Sequence, residues 1–412
     1  MVDLSRHRFD ALAEDDECDL YRARSEEDGS EVLVLAPAVR HPAPDILKRL
    51  EHEYSLREEL DREWAVRPLA LSRREGQVML VLEDPSSAAA SLDRFLGPAG
   101  INEGGNDAGG QPMELGRFLR LAVNLAAGLG KLHRRGLMHK DIKPTHILVD
   151  LETNKVWFTG FGISSRLARG RQAAESSEVI AGTLAYMAPE QTGRTNRSID
   201  SRSDLYSLGV TFYQMLTGSL PFSASDPMEW VHCHIARQPA SPSELLPRVP
   251  ESISAIVLKL LAKTAEERYQ TAAGLEADLR RALDKWESRG RIDVFPLGAC
   301  DLPDELLIPE RLYGREREIT GLHAAFERVV AGGGPELVLI AGQAGVGKSA
   351  VVHELHRALA QQRGLFASGK CDQYKRDIPY ASLAQALISL IRPLLAKSDT
   401  ELASWQIGRA HV

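Results

Sequence analysis

Between residues 342 and 349 the chain reads GQAGVGKS, and few strings of eight letters restrict a fold as tightly. It stands between a strand-like run, ELVLIA, and a helical run, SAVVHELHRAL, in which Val351, Leu355 and Leu359 share one face. Gly342, Gly345 and Gly347 free the backbone so that its N–H groups can wrap a phosphate. Lys348 then reaches the terminal phosphates, and Ser349 holds magnesium at a helix N-terminus that already favours anions. The expected unit is strand, phosphate loop, helix.

Only about sixty residues follow this loop, fewer than a doubly wound sheet of ordinary domain size requires, and no acidic strand end follows either. Together with LYGREREI and RGLFASGKCDQYKRDIPYASL, the loop resembles the AAA-type P-loop ATPase domain found beside kinase domains in large bacterial signalling proteins. The resemblance implies ATP and Mg at this loop and an incomplete α/β P-loop NTPase domain over 311–405. The closing letters, QIGRAHV, match the translation of a common sequencing adapter, so residues 406–412 are expected to be foreign, with the natural chain continuing.

Composition excludes several classes. With 43% apolar and 26% charged residues, a chain of 412 residues can fill two or more cores. A net charge of -7 without basic runs argues against nucleic acid as the partner. Cys18, Cys233, Cys300 and Cys371 are far apart, which suggests neither a disulfide framework nor a zinc ribbon. No run of apolar residues has the length of a signal peptide or a membrane span, so a cytoplasmic protein is expected.

The first 285 residues carry a different set of strings in a fixed order: HKDIKPTHILVD (139–150), GTLAYMAPEQ (182–191), SDLYSLGVTFYQMLTGSLPF (203–222) and AKTAEERYQTA (262–272). These resemble the serine/threonine protein kinase family. The implied fold is an α+β two-lobed protein kinase fold over 1–285, with a linker over 286–310 where prolines and glycines follow a long amphipathic helix. By this resemblance Asp141 would orient or deprotonate a substrate hydroxyl, and Lys143 would neutralise charge on the transferring phosphate. Glu190 would pair with Arg268, and Asp204 would tie down the catalytic loop.

The nucleotide side departs from that family. AEDDECD (13–19) replaces the glycine-rich loop, Leu35 stands where a strand lysine belongs, and Glu53 is left without that partner. Lys48 is the only lysine in the first hundred residues. Gly160 opens a Gly-Phe-Gly string where an aspartate should ligate metal, and His146 replaces an asparagine ligand; imidazole suits magnesium poorly.

Three smaller features read blandly. His232 and His234 are two apart on a helix and point apart, Ser176 and Ser177 are ordinary loop serines, and 97–112 is a Gly/Asn-rich surface insertion. The expected function is a signalling module that is kinase-like but catalytically impaired, coupled to an ATP-binding P-loop domain. Its partners would be other signalling proteins or sensor modules of the same natural chain. Retained Asp141 and Lys143 keep open a weak kinase with atypical metal binding, and a chain that ends inside the ATPase fold keeps open one with no function of its own.

Overall fold

The computed structural model describes residues 4–167, 182–302 and 314–355 with short breaks at 5, 75, 97–99, 102–106, 109, 195–196 and 344–345, and also residues 367, 369, 380 and 382–388. Ser176, Ser177, Gly345, Leu359, Cys371, most of the 97–112 insertion and 363–383 string, and residues 406–412 lie outside them. The chain divides into two compact units, Met1–Arg311 and Leu312–Val412.

The first unit begins with an antiparallel sheet of five strands: His7–Ala13 (β1), Cys18–Ser25 (β2), Glu31–Pro37 (β3), Pro68–Arg74 (β4) and Gln77–Glu83 (β5), in the order β1-β2-β3-β5-β4. Its two central strands, EVLVLAP and QVMLVLE, are apolar on both faces because both faces are covered. Leu33 and Leu82 pack with Leu50 and Trp157, whereas Val34 and Val81 pack with Leu4 and Ala23 on the other side. The period of two along each strand makes that partition.

Helix Pro44–Ser55 (α1) starts on a proline and lies against the first of these faces, burying Leu50 and Glu53. Leu50 and Tyr54 lie on its packed side.

Below the sheet the unit is mainly helical. Leu115–Arg134 (α2), Ser201–Thr217 (α3), Pro227–Ile235 (α4), Glu251–Leu260 (α5) and Ala272–Arg289 (α6) enclose the main core. Their ends follow ordinary capping chemistry: the Glu114 carboxylate accepts the N–H groups of Gly116 and Arg117 at 2.7 and 2.8 Å, and Asp200 accepts that of Arg202 at 2.9 Å. Helix α3 is buried all round, as a central helix must be. Gly209 lets it touch α5, since a Cβ there would stand 2.6 Å from that of Leu260.

The stretch after α6, expected as linker, runs back along this unit. Phe295 is buried beneath Arg281 and Lys285, and the Asp301 carboxylate accepts the N–H groups of Gln270 and Thr271 at 2.7 and 2.9 Å. Proline and glycine broke the helix without detaching the chain.

In the second unit, Glu316–Val330 (α7) and Lys348–His353 (α8) bury Leu322, Ala325 and Val351. The strand expected before the phosphate loop is not formed: residues 335–343 carry no ladder, and Leu337 and Leu339 are 94% and 88% exposed. A strand exists through its neighbours, and among the described residues of this unit none pairs with it. No helix among the described residues is long and apolar enough to cross a membrane.

Candidate functional site

The cleft of the first unit is built from four short pieces. Leu137–Met138 and Ser165–Arg166 pair antiparallel, as do Ile147–Asp150 and Lys155–Phe158, and between these ladders run the strings 139–146 and 159–164. A buried carboxylate organises the first string. Asp204, at the start of α3, accepts the N–H groups of His139 and Lys140 at 2.9 and 2.8 Å and lies 2.9 Å from His133 Nε2. Burial opposes its charge, but the bonds and charges of His133 and His139 outweigh burial and lower its pKa.

A second buried anchor lies beside it. Arg268, fully buried, meets Glu190 through two nitrogens at 2.6 and 2.9 Å, and Ser203 Oγ adds a third bond at 2.7 Å. Both pairings expected from the sequence are present.

Asp141 and Lys143 are held within this frame. The Thr183 N–H donates to Asp141 Oδ1 at 2.9 Å, Lys143 Nζ donates to Thr183 Oγ1 at 2.7 Å, and the two charges stand 3.7 Å apart. Burial raises the Asp141 carboxyl, and the nearby His146 and Lys143 charges turn the shift downward, so it is an anion at neutral pH. This corner could receive a hydroxyl proton.

The metal corner differs. His146 Nδ1 donates to the Asp141 carbonyl at 2.8 Å, and its ring fills the space beside Gly160. A Cβ at 160 would stand 2.7 Å from His146 Cδ2, closer than carbon atoms approach, and the backbone there has φ of 76°. The two replacements therefore belong together: the imidazole occupies the volume that an aspartate at 160 would need. An aspartate–asparagine pair of oxygen ligands for magnesium does not fit the residues present here.

The strand side is equally changed. Leu35 packs into the apolar cluster with Leu50 and Tyr54, and Lys48 points to solvent, 75% exposed, bonded to Asp45 at 3.2 Å. Glu53 is left 1% exposed with Oε1 unpaired. Burial pushes its carboxyl up to about 7, although the N–H groups of Phe161 and Gly160 and the charge of His146 pull the other way.

One contact was missed by sequence reasoning. The turn 14–17 between β1 and β2, read from the sequence only as replacing the glycine-rich loop, sends Asp15 into the cleft, where its carboxylate pairs with Lys143 Nζ and lies 3.4 Å from His146 Nε2. The signal was present as four acids where glycines belong, facing a lysine that the next lobe retains. Only the approach of the two lobes joins them.

His232 and His234 behave as expected. His234 is buried against Trp230 and 2.9 Å from the Tyr206 hydroxyl, while His232 is half-buried. Among the described residues no group of three ligating side chains could hold a metal ion.

In the second unit Gly347 has φ of 91°, a conformation that favours glycine, and Lys348 Nζ donates to the carbonyls of Gly342 and Gln343 at 2.8 and 2.7 Å. The loop curls around the lysine. Ser349, the next residue, sits in the first turn of α8. These residues fit a nucleotide: Lys348 would hold its phosphates, the backbone of 342–347 would line them, and Ser349 would hold magnesium. The bound ion would supply charge neutralisation between phosphate oxygens.

The comparisons with known proteins agree with this division. The family model described as protein kinase domain matches residues 20–279, and that described as AAA ATPase domain matches 311–410. The Dictyostelium discoideum hybrid signal transduction histidine kinase G is 35% identical over 246 residues, covering 55% of this chain and 7% of that protein. The serine/threonine-protein kinase PknB of Mycobacterium tuberculosis is 36% identical over 170 residues, 41% of this chain and 27% of PknB. The chain thus spans only a minor part of the relatives it matches. With the family model covering well over half of its residues and the two-lobed architecture described above, this chain belongs to the protein kinase family and carries an AAA ATPase domain after its kinase domain.

Proposed function

We propose that the kinase domain serves as a regulatory signalling module with impaired phosphoryl transfer, and that nucleotide chemistry belongs to the loop at 342–349. The observation that carries this reading is the His146 ring packed into the side-chain volume of residue 160. It removes both protein ligands for magnesium at once, and metal polarisation is worth several kcal/mol of barrier, with about 1.4 kcal/mol per factor of ten in rate. Leu35 and the acidic turn lower the rate further by withdrawing the groups that hold phosphates.

Partners under this reading are other modules of a larger signalling assembly in the cytoplasm. Hybrid signal transduction histidine kinase G names one such combination. A second reading, a weak kinase with atypical metal use, draws on the intact Asp141–Lys143–Thr183 geometry.

Phosphoryl transfer decides between them. The chain with Lys348→Ala, which silences the phosphate loop, is incubated with labelled ATP and magnesium beside the same chain carrying Asp141→Asn. The regulatory reading expects no label that depends on Asp141. Transfer that disappears with Asp141→Asn would establish the weak kinase.

A further inference from the structure

Asp15 belongs to the amino-terminal sheet, whereas Lys143, His146 and Thr183 belong to the helical half, so the ion pair crosses the cleft between them. Its side chain is 19% exposed, that of Lys143 7% and that of His146 17%, which makes this a largely desolvated contact rather than a surface pair. A neighbouring carboxylate of the same turn, Glu17, pairs with Arg49 of α1. The turn is therefore fastened at two points, one on the catalytic string and one on the helix.

We propose that Lys143, held by Thr183, and His146 form an oxyanion seat, filled by the carboxylate of Asp15, that clamps the two halves of the kinase domain together without nucleotide. The proposal rests on the regulatory reading and deepens it by naming what holds the module closed.

The chemistry is that of a bridging anion. In a nucleotide-using cleft, phosphate oxygens bring negative charge between a glycine turn above and a lysine below. Here the turn supplies the negative charge itself. Lys143 Nζ reaches both the Asp15 carboxylate and Thr183 Oγ1, and Thr183 is fixed in turn by its N–H bond to Asp141.

Burial alone would raise the Asp15 carboxyl. The hydrogen bond from His146 and the charges of Lys143 and His146 instead hold it well below the usual carboxylate range. The seat is built for an anion, and an external carboxylate or phosphate has the same oxygen chemistry.

The test is chemical rescue in the full chain carrying Lys348→Ala, read by thermal unfolding with sodium phosphate, sodium acetate or magnesium-free ATP as the added anion and sodium chloride as the ionic-strength control. Asp15→Ala is expected to lower the Tm and to gain a saturable rise with each oxyanion, at least about tenfold tighter in apparent Kd than in the Asp15-bearing chain, because the internal competitor is gone. Asp15→Asn, which keeps the shape, should show the same gain. Asp16→Ala, an equal change of charge on an exposed neighbour, should show none.

Oxyanion responses equal in the three variants would overturn the proposal, as would a Tm unchanged by both Asp15 substitutions. Tight MgATP binding by the Asp15-bearing chain would instead count against the regulatory reading, so the two failures are distinguishable.

Discussion

The two sides of the kinase cleft have kept different things. On the helical side the buried anchors have their partners: Arg268 with Glu190, and Asp204 with His133 and two backbone N–H groups. On the strand side Glu53 is buried with an unpaired oxygen, and Leu35 offers it nothing. The first set holds the fold, and a lost partner there would strand a charge in the interior. On the regulatory reading proposed above, the second set is the one that would serve nucleotide, and neighbouring groups fill its space and supply its charge, as His146 and Asp15 do.

The largest effect that could break this contrast lies at Arg268. Arg268→Ala should cost about 3–5 kcal/mol in chemical denaturation, because it leaves Glu190 charged and buried. A loss under about 1 kcal/mol, the size found for exposed pairs, would mean that the anchor is not structural.

Next in size is the coupled pair. Gly160→Asp alone should lose roughly 2–3 kcal/mol through the clash with His146 and the positive φ. His146→Asn on that background should recover about 1 kcal/mol or more, a coupling that a double-mutant cycle reads directly. Additive losses would deny that the imidazole occupies the aspartate's volume.

The smallest effect is a gain. The folded-state pKa of Glu53, about 7, lies above its ordinary value of 4.5, so the folded state binds the proton more tightly. Its contribution is most favourable below pH 4.5, falls as pH rises from 4.5 to about 7, and stays low above that. Glu53→Gln, which mimics the protonated form, should therefore stabilise the chain at pH 8 by roughly 1–3 kcal/mol and make no difference at pH 4. Equal stability of the two chains at pH 8 would show that Glu53 finds a partner in solution.

Much of this was legible in the letters, for a physical reason. Motif strings such as HKDIKPTHILVD and GTLAYMAPEQ record local geometry, and Glu190, Arg268 and Asp204 have one partner type each. The missing aspartate at 160 and the missing lysine at 35 are also visible as letters. What the letters hide is how space and charge are redistributed. The packing of His146 beside Gly160 and the pairing of Asp15 with Lys143 join residues 14 and 128 positions apart, and only the folded cleft brings them together.

The strand expected at 336–341 finds no pairing partner among the described residues, and a ladder is a property of neighbours. Conversely, the proline- and glycine-rich stretch after α6 looked free in the sequence. Asp301 and Phe295 bind it back to the helical core.

The most direct test of the central claim is an ATP titration by calorimetry of the full chain carrying Lys348→Ala, with magnesium present, so that only the kinase cleft can respond. A cleft filled by His146 and Asp15 should give no binding heat up to millimolar nucleotide. Saturable binding in the micromolar range would contradict the account and return phosphoryl transfer through Asp141 to the centre of this protein's chemistry.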